Sequence, residues 1–185
     1  MLSITGGTNT QRAMVRRTLT KFGEATLERM REAGGKIYIL AKGQKYAEAS
    51  PELSRLGIDV DAWPAPPAGL FVVVERTVYI RTCCAMTIAH ECGHLLDCTL
   101  GNGIYFSGTS AEIRNAFINA RSFVTPYAAT GIDEYFAEAT RAWVEANTKT
   151  SHWPPATRER LQRIDPTMYA IVENIFAGAC AEVAA

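Results

Sequence analysis

His90, Glu91 and His94 stand at a spacing that can do metal chemistry. On a helix, residues four apart lie one turn apart on the same face, so two imidazole nitrogens can reach one ion with Glu91 beside them. In an H-E-x-x-H arrangement the two His bind zinc. The Glu acts as general base, taking a proton from metal-bound water as that water attacks a carbonyl. A chain with 3 His holds this pattern by chance in well under about 1% of shuffled sequences. The bland alternative is a pair of core histidines, and burying both unpaired would be costly.

A catalytic zinc needs a third protein ligand and one open position. His152, the remaining histidine, precedes Trp153-Pro154-Pro155 and reads as a loop residue. Leu100 stands where H-E-x-x-H-x-x-G-x-x-H would need its last His, which excludes that pattern. Glu112 follows Thr109-Ser-Ala and fits a capping box with Thr109 as N-cap. Glu134 and Glu138 form the better pair, because they share a helical face in the apolar company of Phe136, Ala137, Ala139 and Trp143. Their alternative is a solvated acidic face at a helix N-terminus.

Three neighbours of the motif have readings of their own. Asp97, three residues past His94, can hold that ring from outside, or serve at the surface or as a cap. Cys92 points away from the His face and reads as packed. Gly93 costs about 1 kcal/mol relative to Ala in mid-helix, which implies close approach of another backbone or of substrate. Glu91-x-x-His94 is also one half of a carboxylate-bridged di-iron pattern, but that architecture needs two halves. Lys149 stands where the acid of a second half around His152 would be.

The elements that carry these residues follow from periodicity and punctuation. Val15, Leu19, Phe22 and Met30 predict one amphipathic helix from Thr10 to Ala33, stopped by Gly34-Gly35. Lys36–Leu40, Leu70–Glu75 and Thr77–Arg81 read as strands, with a break at Arg76. Pro51, Pro64, Pro66 and Pro67 make the stretch from Ser50 to Gly69 a surface loop able to rim a cleft. Thr82 is the expected N-cap of a helix over Cys83–Leu100 that ends near Gly101. Helices follow at Ser110–Arg121, at Ile132–Asn147 and in a short piece after Pro155. A last helix opens at Asp165-Pro166, with Met168, Ile171, Val172, Ile175 and Phe176 inward.

Composition sets the class. The 185 residues, 48% apolar, suit a single domain over 1–185. Lys plus Arg and Asp plus Glu balance at 19 each, leaving no global field for nucleic acid or an anionic membrane. No apolar run approaches a membrane span. Arg12, Arg16, Arg17, Lys21 and Glu24 interrupt the first thirty residues, unlike the core of a secretory signal. Five cysteines cannot all pair, and buried reduced thiols are expected, with one disulfide to Cys180 left open.

From Thr82 to Trp143 the chain resembles the catalytic domain of anthrax lethal factor and its relatives, which include the Pro-Pro endopeptidases. The resemblance rests on HECGH with a following Leu-Leu-Asp, and on Tyr127 seven residues before Glu134-Tyr-Phe-Ala-Glu-Ala139. Pro126 and Cys92 depart from the relatives' pattern. The resemblance implies an α+β, zincin-like domain, with a small sheet packed on an active-site helix and a mostly helical C-terminal half. It makes His90, His94 and Glu134 ligands of one zinc per chain, Glu91 the base, and Tyr127 a donor to the developing oxyanion. Glu138 would orient a ligand from outside. A strand near Leu70–Arg81 would flank the helix and take an extended peptide by strand addition.

The implied function is a monomeric zinc endopeptidase with a Glu third ligand acting on a peptide or protein, exported or delivered as an effector. The alternative is a protein-binding module that keeps the fold without catalysis, which would be expected to lose these groups.

Overall fold

The computed structural model describes residues 2–149, 151 and 154–183. The chain opens with strand β1 (Ser3–Gly6), then α1 (Asn9–Leu19) and α2 (Glu24–Glu32). Next come β2 (Lys36–Ile39), α3 (Tyr46–Ala49), α4 (Pro51–Leu56), β3 (Gly69–Val72) and β4 (Thr77–Ile80). The remainder is helical: α5 (Ala85–Leu100), α6 (Phe106–Thr109), α7 (Ala111–Asn119), α8 (Ile132–Trp143), α9 (Arg158–Ile164) and α10 (Pro166–Val183). This is the α+β architecture expected from the resemblance.

The sheet runs β1-β2-β4-β3, parallel except for β3, which is an antiparallel edge strand. Side chains alternate across it. Ile37, Ile39, Val78 and Ile80 face the main core with Val15, Leu19, Ile88 and Leu95. Tyr79 and Val72 face a smaller cluster with Tyr46, Leu53 and Val60. Covered on both faces, β4 is buried at every residue. Helix α5 lies under the sheet and against α1, α2, α6 and α8. Twelve of its residues are buried, as suits a helix packed all round.

Several expectations are corrected. The first helix is two, because Gly23 takes φ 79, outside the helical region, after a 3₁₀ turn at Thr20–Phe22. Strand β1 lies ahead of it, too short for its alternation to show; its hydrogen bonds come from β2, 33 residues away in register. The Pro-rich loop contains α4, where the Ser50 hydroxyl accepts from Leu53 N and Pro51 fills the first helical position.

At the start of α5 the N-cap is Cys84, since Arg81 and Thr82 donate their amides to Ala68 O and stay with the sheet. At α7 it is Ser110, whose hydroxyl accepts from Ile113 N, so no capping box forms on Thr109. Helix α8 ends at Trp143, earlier than expected, with Glu145 at φ 50. The start of α10 agrees with the sequence reading: Asp165 accepts from Met168 N, and Met168, Ile171 and Val172 are buried.

Candidate metal and active site

Two helices build the site. His90 and His94 occupy successive turns of α5, and their Nε2 atoms stand 3.2 Å apart. Glu134, in the first turn of α8, brings Oε2 to 3.0 Å from His90 Nε2 and 3.4 Å from His94 Nε2. Gly93 permits this closeness: a Cβ there would lie 2.8 Å from the Ala137 Cα. The backbone of α8 is therefore the neighbour that the mid-helix glycine implied.

These three side chains form a group able to hold a metal ion. Their fit can be tested on the donor geometry. Glu134 Oε2 is buried without a hydrogen-bond partner among the described residues, although both imidazole nitrogens lie nearby. The three atoms are thus disposed as lone pairs converging on a point. Their separations of 3.0, 3.2 and 3.4 Å match the edge of about 3.3 Å of a tetrahedron with metal–ligand bonds of about 2.0 Å. The donor set fits.

His90 Nδ1 lies 2.9 Å from Glu138 Oε1. Protonated on Nδ1, the ring donates to that carboxylate and turns Nε2 toward His94 and Glu134. Burial opposes charge on His90, but the neighbouring Glu134 and Glu138 carboxylates outweigh it and lift the imidazole to about 10. Burial likewise opposes ionisation of Glu138, yet His90 and Arg141 hold its carboxyl down at about 2. Glu134 is also lowered, its burial outweighed by the two imidazoles. The second imidazole has no such outside support, since His94 Nδ1 has no hydrogen-bond partner among the described residues.

Glu91 is 7% exposed, and burial raises its carboxyl pKa against the pull of the two imidazoles. Its neighbour is the first residue of β3, where a Cβ on Gly69 would come within 2.5 Å of Glu91 Cγ. Glu91 and His90 line a cleft of ≈ 490 Å³ together with Pro67, Ala68, Met86 and Tyr127. The Pro-rich stretch does rim it. Tyr127, in a 3₁₀ turn, is 43% exposed and donates its hydroxyl to Glu134 Oε1 at 3.0 Å, with its ring 5.4 Å from that of His90.

The other candidates lie elsewhere. Asp97 does not hold His94: both its oxygens accept from Ser107, from the amide at 2.7 Å and the hydroxyl at 2.5 Å. The hairpin that returns α6 onto α5 supplies this closer donor. Burial, opposed by those bonds, pushes the Asp97 carboxyl up to about 6. Glu112 is exposed at the start of α7. Cys92 is fully buried, and Cys83, Cys84 and Cys98, like it, have no disulfide partner among the described residues. His152 and the Cys180 side chain fall outside the described residues.

Sequence reasoning missed two residues of the site, Thr125 and Arg141. Arg141 gave a signal, being a charge one turn beyond Glu138 in an apolar segment. Thr125 gave none, because it reaches Glu138 through the fold.

The arrangement of sheet, HExxH-bearing helix and carboxylate-bearing helix defines a zincin-like fold. Among solved structures the chain is similar to the Pro-Pro endopeptidase PPEP-2 from Paenibacillus alvei, with a TM-score of 0.67 and 22% identity over 94% of this chain and 96% of that one. At that identity the likeness is one of fold. No protein-family model matches the chain, and no curated protein does.

Proposed function

We propose that this chain is a zinc-dependent endopeptidase of the lethal-factor-like kind. The observation that carries the reading is the convergence of His90 Nε2, His94 Nε2 and Glu134 Oε2 beside a cleft that Glu91 also lines. One zinc ion would be held by these three residues. When bound, it supplies a water acidic enough to attack at neutral pH and polarises the scissile carbonyl.

The side chains then divide the work. Glu91 takes the proton of the attacking water and returns it to the leaving amine. The Tyr127 hydroxyl stands at the cleft, where it can donate to the oxygen on which negative charge grows. Glu138 keeps the His90 ring in the tautomer that presents Nε2. Substrate is a peptide in extended form, laid against the free edge of β3 beside Glu91.

The test combines metal analysis with cleavage of a peptide library. Purified protein should carry or take up one zinc per chain, and Glu91→Gln should keep the metal while peptide cleavage falls by about 10²- to 10⁴-fold. Protein that takes up no zinc on addition refutes the proposal.

A further inference from the structure

Arg141 is the largest fully buried side chain among the described residues, 2% exposed, in the last turn of α8. A buried guanidinium is costly unless its donors are matched, and here they are. Its Nε donates to Glu138 Oε1 at 2.8 Å and one terminal nitrogen to Glu138 Oε2 at 2.7 Å, a fork on both carboxylate oxygens. The other terminal nitrogen reaches Asn147 Oδ1 at 3.2 Å and Ala146 O at 3.4 Å. Thr125 adds a third bond to the carboxylate, donating to Oε2 at 2.5 Å.

We propose that Arg141 is the positioning residue of the metal site, fixing the Glu138 carboxylate in the one rotation at which Oε1 accepts from His90 Nδ1 and so aiming His90 Nε2 at the metal position. This rests on the proposed metal-binding role of His90. A carboxylate on a flexible stem has many orientations, and one hydrogen bond to a ring leaves it free to turn. The fork removes that freedom, because two parallel bonds set the carboxylate plane. Lysine, a point charge, supplies the charge without the plane. Asn147 anchors the far side: its amide donates to Ala156 O at 2.8 Å and accepts from Ala156 N at 2.9 Å, tying Arg141 to the segment that leads into α9.

The test uses the full chain and two readouts. The first is the downfield proton resonance of His90 Nδ1–H in metal-free protein, present in the wild type through its bond to Glu138. The second is zinc affinity, by competition with a chromophoric chelator. In Arg141→Met the resonance should be lost to exchange and zinc should bind about 10- to 100-fold more weakly. Arg141→Lys should weaken zinc in the same direction by a smaller factor. It carries the comparison should Arg141→Met not fold.

Combined with Glu138→Gln, neither substitution should weaken zinc beyond Glu138→Gln alone, since Arg141 acts through that carboxylate. Asn147→Ala, which removes one bond of Arg141 and the link to Ala156 but leaves the fork, should lower thermal stability and move both readouts less than Arg141→Met does. A folded Arg141 variant with wild-type resonance and affinity overturns the assignment, as do additive effects with Glu138→Gln. A wild type that takes up no zinc refutes the peptidase reading, while the resonance still decides the role of Arg141.

Discussion

Replacing Gly93 by alanine tests the packing that brings the two site helices together. In a solvated helix the change would stabilise by about 1 kcal/mol, because alanine is the better helix former. Here the added Cβ would sit 2.8 Å from the Ala137 Cα, 3.1 Å from its carbonyl oxygen and 3.2 Å from its Cβ. Carbon atoms rest at about 3.5–4.0 Å, so α5 and α8 must part by roughly 0.7 Å or more. The obstacle is backbone, which no rotamer change relieves. Overpacking of this kind costs about 1–3 kcal/mol, and against a backbone obstacle the upper part of that range applies, so after the propensity gain of about 1 kcal/mol Gly93→Ala should be destabilised by up to about 2 kcal/mol.

The same displacement carries Glu134 away from His90 and His94, whose donor atoms now lie within 3.4 Å of Glu134 Oε2. Metal sites tolerate about 0.2 Å in ligand distance. Zinc affinity should therefore fall by about 10- to 100-fold, the range seen when support for a ligand is lost. Urea unfolding of the metal-free protein, compared at equal slope, measures the first effect, and chelator competition the second. A Gly93→Ala protein more stable than the wild type, with zinc affinity unchanged, would refute the reasoning.

Other substitutions separate the remaining assignments. Glu134→Ala should abolish tight zinc binding while Glu112→Ala leaves it unchanged; an undiminished affinity in Glu134→Ala removes that residue as third ligand. Tyr127→Phe should lower kcat by about 10²-fold or more with KM little changed, as for loss of an oxyanion donor; a change in KM alone would make it a substrate-binding residue. Asp97, raised to about 6 from an unfolded value near 3.8, favours folding fully below pH 3.8, and that contribution is lost as pH rises through 6. The stability of Asp97→Asn relative to wild type should thus increase by about 3 kcal/mol between pH 3.5 and 7. A flat difference across that range would show that the carboxyl is not raised.

The sequence determined what local geometry can determine. Four-residue spacing on a helix puts His90 and His94 on one face whatever surrounds them, and Gly93 in mid-helix already implied a close neighbour. The Asp165-Pro166 start of α10 and the break at Arg76 were legible for the same reason, since caps and turns are settled within a few residues. Tertiary structure decided which distant groups meet them. Glu134 and Glu112 are both helix-initial acids, and only the packing of α5 on α8 brings the first to the imidazoles and leaves the second exposed.

Asp97 had a plausible partner in His94 by spacing but found a closer one in Ser107 when α6 folded back. The division at Gly23 and the pairing of β1 with β2 were hidden likewise. A 3.6-residue pattern can run on through a short break, and a strand of four residues draws its hydrogen bonds from a neighbour that local sequence does not name.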